Sequence, residues 1–347
     1  MPACIGRVCP HPCEDGCRRQ MVEESISIAY LKYFAADRVI QAGGYLPPKA
    51  AATGKRVGII GGGPGGLTAA YYLSLKGHRV TVVDAMPQMG GMLRYGIPEY
   101  RLPKRVLDEE VAEIASLGVE MKNNFRIGRD VTFEEFKNSY DAVVLAIGAW
   151  ESMPIGCPGE ELDGVMGGID FLRQVAMGEK PAIGDQVAVV GGGNTAVGDA
   201  LTLARLAGRV TLIHRRDALR ASAVYLDKLR ENGVNIVWNT EVKALQGDDR
   251  LTGLVLRNKV TGEESTLPVD GLFVAVGRRP ETALFRGQLE TDEAGYLIAD
   301  ETTRTSLPGV YAVGDVRRKP VRQILTAAAD GAVAAHYIEE YLAGNRA

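Results

Sequence analysis

The stretch VGIIGGGPGGLTAA, residues 57–70, decides the fold of this chain. Its first four residues are apolar and predict a buried parallel strand, and residues 67–75 predict a helix. Between them, Gly61, Gly63 and Gly66 have the G-x-G-x-x-G spacing. In that pattern the first glycine permits a tight turn, the second lets backbone N–H groups approach a pyrophosphate, and the third lets helix and strand pack closely.

The residues that follow strengthen this prediction. Residues 79–83 predict a second strand, which ends at Asp84. A carboxylate there can accept a hydrogen bond from a ribose hydroxyl, and the helix N-terminus would face the phosphates with its partial positive charge. A glycine motif alone is a weak signal. Strand, glycine loop, helix, strand and acid in this order favour a dinucleotide-binding domain over an ordinary βα turn.

The same pattern recurs further along the chain. Residues 187–190 predict a strand, and residues 191–196 (GGGNTA) have the G-x-G-x-x-A spacing before a helix. The next strand, residues 210–213, ends in His-Arg-Arg rather than in an acid. Guanidinium groups at Arg215 and Arg216 suit a 2′-phosphate, so this pattern favours NADP(H) over NAD(H). The alternative is a solvated basic strand end.

The second glycine loop begins before the first domain is complete, so one domain is inserted in the other. Residues 272–277 predict the closing strand of the inserted domain, and residues 309–316 predict a strand that returns to the first sheet. Asp315 would end that strand, where a carboxylate can hold the ribityl chain of a flavin. We therefore predict an α/β fold with two Rossmann-like domains. Its parts are a cysteine-rich segment (1–45), an FAD-binding domain (46–150 and 281–347) and an NAD(P)-binding domain (151–280).

Composition excludes several classes of function. The chain has 347 residues and a formal charge of −3, which gives no electrostatic footprint for nucleic acid or for an acidic membrane. No apolar run approaches the roughly 18 residues that a membrane helix needs. The N-terminus has no charged region followed by an apolar one, so we expect no secretory signal and a cytoplasmic protein.

Four of the five cysteines crowd the first 17 residues. They are Cys4, Cys9, Cys13 and Cys17, with the spacing C-x4-C-x3-C-x3-C. Clustered thiols in a cytosolic chain indicate metal or redox chemistry rather than a disulfide framework. Zinc sites usually consist of two paired knuckles far apart in sequence, whereas one compact run suits an iron–sulfur cluster better. A zinc knuckle and an unligated loop remain the alternatives.

Two longer motifs carry a resemblance to known families. With GRVCP at 6–10 and GGMLRYGIPEYRLP at 90–103, the first half resembles the small subunit of glutamate synthase. It equally resembles the large subunit of NADH-dependent ferredoxin:NADP oxidoreductase and the N-terminal half of dihydropyrimidine dehydrogenase. The second half resembles thioredoxin reductase through GGGNTA, HRRD at 214–217, GDV at 314–316 and RQ at 322–323. Both resemblances imply FAD and a nicotinamide nucleotide.

The chain departs from these families in two places. Residues 170–190 contain no cysteine, so the C-x-x-C pair of thioredoxin reductase is missing and thioredoxin reduction is not expected. The glutamate-synthase-like family has a further cysteine run before this one, and Lys32 stands where that family has a Gln or Glu ligand. The resemblance thus implies one [4Fe-4S] cluster on the four N-terminal cysteines, or ligands shared with another subunit.

The resemblance implies an electron-transfer flavoprotein subunit. Electrons would pass between NAD(P)H, FAD and the cluster, with a ferredoxin-like, dehydrogenase or hydrogenase subunit as partner. The alternatives are a stand-alone NADPH-dependent flavin reductase or diaphorase without a cluster, and a non-catalytic FAD-bearing assembly subunit. The candidate FAD ligands are Gly61, Gly63, Gly66, Asp84, Gly91, Gly148, Gly314, Asp315 and Gln323. The candidate NADP(H) ligands are Gly191, Gly193, Asn194, Thr195, Arg215, Arg216 and Arg220. No acid–base residue is assigned, since the cofactors supply the chemistry.

Overall fold

The computed structural model describes residues 1–221 and 224–344. Its helices are α1 (Pro2–Val8), α2 (Pro12–Asp15), α3 (Ile28–Gln41), α4 (Pro64–Leu75), α5 (Met92–Tyr95), α6 (Lys104–Ser116), α7 (Phe133–Asn138), α8 (Gly168–Ala176), α9 (Asn194–Leu203), α10 (Val224–Glu231) and α11 (Ile324–Leu342). Its strands are β1 (Arg56–Ile60), β2 (Arg79–Val83), β3 (Glu120–Lys122), β4 (Ala142–Leu145), β5 (Glu151–Ser152), β6 (Val165–Gly167), β7 (Gln186–Gly191), β8 (Arg209–Ile213), β9 (Asn235–Val237), β10 (Thr240–Gln246), β11 (Gly253–Asn258), β12 (Glu264–Pro268), β13 (Gly271–Ala275), β14 (Arg278–Arg279) and β15 (Val310–Ala312).

The chain folds into two compact units. The first unit contains residues 1–94, 99–149 and 280–347, and the second contains residues 95–98 and 150–279. Within the described part of the chain, no helix is long and apolar enough to cross a membrane.

The first unit is built on a parallel sheet with the strand order β15-β4-β1-β2-β3. Strands β4 and β15 and all but the first residue of β1 and β2 are buried, as expected when helices cover both faces of a parallel sheet, whereas the edge strand β3 is partly exposed. Helices α4 and α11 pack so closely that a Cβ added to Gly331 would lie 2.3 Å from the carbonyl oxygen of Gly65. The order of the strands brings the carboxyl ends of β15, β4 and β1 side by side at one edge.

The second unit also has a parallel five-stranded sheet, with the order β6-β13-β7-β8-β9. An antiparallel sheet of β10, β11 and β12 accompanies it. Leu254 of the antiparallel sheet shares one buried cluster with Ala188 and Leu272 of the parallel sheet. The strands β7 and β13 are neighbours, so the second glycine loop follows a central strand of this unit.

The predicted α/β fold with two Rossmann-like domains is confirmed. The returning strand forms as β15, which pairs with β4 in the first sheet. The closing strand of the inserted domain forms as β13, between β6 and β7. The N-terminal segment contains the helices α1, α2 and α3, of which α3 extends from Ile28 to Gln41.

Candidate functional site

The first glycine loop has the geometry that its spacing predicts. Gly61 has a φ of +108°. A Cβ added to Gly66 would lie 2.0 Å from the carbonyl oxygen of Gly61, so only glycine lets α4 approach β1 this closely. Beside Gly63, by contrast, a Cβ would meet only the Cα of Gly91, at 3.8 Å, among the described residues. Helix α4 begins there without a side-chain cap, which leaves backbone N–H groups for a pyrophosphate.

Asp84 lies at the end of β2 and contacts the glycine loop itself. Its Oδ2 accepts a hydrogen bond from the backbone N–H of Gly62 at 2.6 Å, and its Oδ1 accepts one from Met86 at 2.8 Å. Burial raises the pKa of this carboxyl, although the two N–H groups oppose the shift. The carboxylate therefore holds the loop in shape, a contact that sequence reasoning missed, and its hydrogen bond to a ribose hydroxyl stays a prediction.

The segment 89–94 packs against the first glycine loop. Gly91 has a φ of +52°, and a Cβ there would lie 2.8 Å from the Cα of Gly63. Arg94 donates from Nε to the carbonyl oxygen of Met89 at 2.6 Å and forms an ion pair with Asp108 of α6. These contacts fix the segment beside the candidate pyrophosphate site.

Lys104, the first residue of α6, completes this support. Its Nζ donates to the carbonyl oxygens of Leu93, at 3.0 Å, and Leu102, at 3.1 Å. Burial lowers the pKa of its ammonium to about 8. Sequence reasoning missed this residue, although it directly follows the long motif that ends at Pro103.

The remaining candidate FAD ligands lie at the same edge of the first sheet. Gly148, with a φ of +71°, follows β4, and Gly314, with a φ of +75°, follows β15. The N–H of Gly314 donates to Oδ2 of Asp330 at 2.9 Å. Asp315 lies in the turn after β15, and Gln323 is the N-cap residue that precedes α11. The structure thus brings these residues to the carboxyl ends of neighbouring strands, where open α/β sheets bind ligands.

The second glycine loop precedes α9, which also begins without a side-chain cap. Asn194 and Thr195 form its first turn. No described atom lies within 4 Å of a Cβ built on Gly193. The buried ring of His214 lies against Gly192, where an added Cβ would meet its Cε1 at 2.1 Å. The backbone N–H of Arg220 donates to the carbonyl oxygen of Gly192 at 2.7 Å.

Three arginines are candidates for a phosphate contact near the second loop, and one of them, Arg220, contacts the loop through its backbone N–H. Arg215, Arg216 and Arg220 are exposed. Among residues 1–221 and 224–344, their guanidinium groups make no hydrogen bond or ion pair. Unpaired guanidinium groups beside an uncapped helix are suited to a phosphate monoester, and the sequence alone indicated all three.

The N-terminal cysteines differ in their surroundings. Cys4 is fully buried on α1 and hydrogen-bonds Glu110, and burial with that carboxylate raises the pKa of the thiol. Cys13 is exposed, and Cys9 is half-buried. The N–H groups of Ile26 and Arg19 point at the sulfur of Cys17 and lower the pKa of its thiol.

The four thiols do not converge in this arrangement. In the part of the chain that the structure describes, no three His, Cys, Asp or Glu side chains are placed to hold a metal ion. The residues as arranged therefore do not fit an iron–sulfur cluster without rearrangement.

Two parallel sheets, each with a glycine loop that leads into an uncapped helix, define the class of this protein. It is a protein with two Rossmann-like dinucleotide-binding domains.

The comparison with known proteins gives the family. The profile of the family described as "Pyridine nucleotide-disulphide oxidoreductase" matches residues 55–331, and the chain belongs to this family. The chain is 36% identical, over 97% of its length, to the beta subunit of NADP(+)-dependent formate dehydrogenase from Moorella thermoacetica. It is 31% identical to the glutamate synthase [NADPH] small chain of Escherichia coli (strain K12), over 99% of this chain and 81% of that one.

Among solved structures, thioredoxin reductase from Lactococcus lactis matches with a TM-score of 0.68 and 30% identity, over 84% of this chain and 99% of that one. The resemblances to the glutamate synthase small subunit and to thioredoxin reductase are confirmed. The chain spans about half, 54%, of the formate dehydrogenase subunit that it matches.

Proposed function

We propose that this chain is the flavin-bearing electron-transfer subunit of a larger NADPH-dependent redox enzyme. The observation that carries the proposal is the pair of glycine loops, one held by Asp84 and the other in backbone contact with Arg220. The names of two relatives support it, since one is the beta subunit of an NADP(+)-dependent enzyme and the other the small chain of an NADPH-dependent one.

We assign FAD to the domain of residues 46–150 and 281–347, and NADP(H) to the domain of residues 151–280. When bound, these cofactors supply hydride transfer and its division into single electrons. The protein's own part is to position them. N–H groups at the start of α4 and α9 would bind the two pyrophosphates, and the arginines would bind the 2′-phosphate.

The arginines give the most direct test. Replacing Arg215 and Arg216 together by Ala is expected to raise KM for NADPH by at least about 100-fold, because each charge-assisted hydrogen bond contributes about 1.5–3 kcal/mol and two are lost. KM for NADH should change by less than about threefold, since NADH has no 2′-phosphate. The rates of dye reduction and of bleaching of the bound flavin, recorded at varied NADPH and at varied NADH, measure the change for each nucleotide. Arg230→Ala, which removes an exposed arginine paired with Asp227, is the matched control. Equal losses with the two nucleotides would contradict the assignment.

We also propose that the cysteines of residues 4–17 hold an iron–sulfur cluster in the assembled enzyme. The spacing and the resemblance support this, and metal binding commonly reorganises its ligands as it folds them. The partner would be a subunit that accepts single electrons, of the ferredoxin-like, dehydrogenase or hydrogenase kind.

Iron and sulfide analysis of anaerobically purified protein tests the cluster. About four iron and four sulfide per chain are expected for one [4Fe-4S] cluster. Absence of both would leave the second candidate function, a stand-alone NADPH-dependent flavin reductase or diaphorase. The exposed Cys13 and the lack of a convergent thiol set favour that candidate. Co-purification of further chains with the native protein would identify the partner.

A further inference from the structure

The turn that follows β15 is attached to helix α11 by one carboxylate. Gly314, the first residue of this turn, is buried and has a φ of +75°. Its backbone N–H donates to Oδ2 of Asp330 at 2.9 Å. The turn also contains Asp315, and α11 follows Gln323. Asp330 therefore links the two elements that present these candidate FAD ligands.

Asp330 also pairs with two cations that follow the same turn. Nζ of Lys319 lies 2.7 Å from Oδ2 of Asp330 and donates to the carbonyl oxygen of Thr326 at 3.1 Å. Nε of Arg317 lies 3.6 Å from the same Oδ2. The side chains of Lys319 and Arg317 are each 6% exposed, and that of Asp330 is 14% exposed. Removing one member of so buried an ion pair leaves an uncompensated charge, which is strongly unfavourable. The chain from residue 314 to residue 319 is therefore held firmly to α11.

The same turn lies beside the first glycine loop. A Cβ added to Gly65, in the first turn of α4, would lie 3.1 Å from the carbonyl oxygen of Ala327 and 3.7 Å from the backbone nitrogen of Gly314. The start of α4, the start of α11 and the turn after β15 are thus neighbours. A shift of the turn would change the position of Asp315 relative to the N–H groups at the start of α4, which are the candidate donors to the pyrophosphate.

A second acid of α11 provides a comparison. Glu339 forms an ion pair with Lys76, the residue that follows α4, and these side chains are 46% and 31% exposed. An ion pair so open to solvent contributes little to stability. Asp330 differs because its contacts are shielded from water and include the backbone of the candidate flavin site.

We propose that Asp330 is a positioning residue for FAD. By accepting the hydrogen bond from Gly314, it fixes the turn that carries Asp315 against the helix that follows Gln323. Lys319 compensates the charge of the carboxylate in this buried place. The inference rests on the proposed function, since it takes FAD to be the ligand of the first unit. It specifies that FAD affinity depends on an acceptor atom at residue 330 and not on the ion pair as such.

Two double variants separate the hydrogen bond from the ion pair. Lys319→Met/Asp330→Asn and Lys319→Met/Asp330→Ala both remove the ion pair, but asparagine keeps an acceptor oxygen for the N–H of Gly314. In the alanine double variant the turn of the apoprotein can direct this N–H to water, and FAD binding must bury it again without a partner. That penalty is expected to raise the dissociation constant for FAD by about 10- to 100-fold. The asparagine double variant should stay within about threefold of the unmodified protein.

Titration of each apoprotein with FAD, followed by the change in flavin fluorescence, measures these constants, and thermal unfolding of the apoproteins measures stability. Glu339→Ala, on the same helix, is the matched control and should bind FAD as the unmodified protein does. A merely structural role would lower the unfolding temperature of the alanine double variant and leave the two double variants with equal dissociation constants. Equal constants therefore overturn the inference. An unmodified protein that binds no FAD would instead refute the proposed function, and this inference with it.

Discussion

Gly66→Ala is expected to weaken FAD binding by about 10- to 100-fold, or to prevent it. A Cβ at this position would lie 2.0 Å from the carbonyl oxygen of Gly61 and 3.1 Å from Cγ2 of Ile59. The first of these atoms is backbone, so the contact cannot be relieved by a rotamer change. Overpacking of this kind costs about 1–3 kcal/mol or more, and 1.4 kcal/mol is a factor of ten in affinity.

The substitution weakens flavin binding in particular, because the clash lies between the start of α4 and the glycine loop. To make room, α4 must move away from β1, and its first N–H groups move with it away from the pyrophosphate. Flavin content of the purified protein and titration of the apoprotein with FAD measure the effect. A variant that retains full flavin content would contradict the assignment of this loop.

Gly198→Ala is the matched control for the glycine substitution. Gly198 lies inside α9, and no described atom lies within 4 Å of its added Cβ. Replacing a helical glycine by alanine without a clash stabilises a helix by roughly 0.5–1 kcal/mol. The control should therefore bind FAD normally and unfold at an equal or higher temperature.

Local pattern was enough to predict much of this fold. The glycine spacing, the apolar strands and the acid or arginines after them predicted both nucleotide-binding sheets. The returning strand was predictable because residues 309–316 repeat the pattern of a buried strand before a glycine. These signals are local, since each depends on neighbours within a few residues of the same strand or turn.

The contacts that support the site could not be predicted in the same way. Asp84 contacts Gly62, Lys104 contacts the carbonyl of Leu93, and Glu110 contacts α1, yet nothing in the sequence around these residues indicates those partners. Which polar group becomes buried depends on tertiary packing, and periodicity carries no information about it. The convergence of four cysteines was likewise inferred from spacing, and the structure shows that spacing alone does not bring thiols together.

Asp199→Asn is expected to change the pH dependence of stability more than any other single substitution in the second unit. Asp199 lies on α9 and is fully buried, and neither of its carboxyl oxygens has a hydrogen-bond partner among the described residues. The carboxyl lies against Gly168, the first residue of α8. The contact is so close that a Cβ added to Gly168 would be 2.1 Å from Oδ2 of Asp199. Burial raises the pKa of Asp199 from 3.8 to about 8, and Arg278 opposes the shift.

The direction of the effect follows from proton binding. Between pH 4 and 8 the folded protein holds this proton and the unfolded chain has released it, so stability falls as the pH rises. The loss is about 1.4 kcal/mol for each pH unit between the two pKa values. Asparagine does not titrate, so the variant should gain stability relative to the unmodified protein as the pH increases from 4 to 8, and the gain should stop growing above pH 8.

Denaturant unfolding at pH 5, 6, 7 and 8 measures that difference, with Asp227→Asn as the control at an exposed aspartate. An unfavourable packing of the new amide would lower stability equally at every pH, so the change with pH isolates the ionisation of Asp199. Parallel curves for the variant and the unmodified protein would show that this carboxyl is ionised and solvated, and that α8 and α9 are less closely packed than the contact at Gly168 indicates. A diverging pair of curves would instead show that helix α9, which follows the second glycine loop, holds a neutral acid in the core at physiological pH.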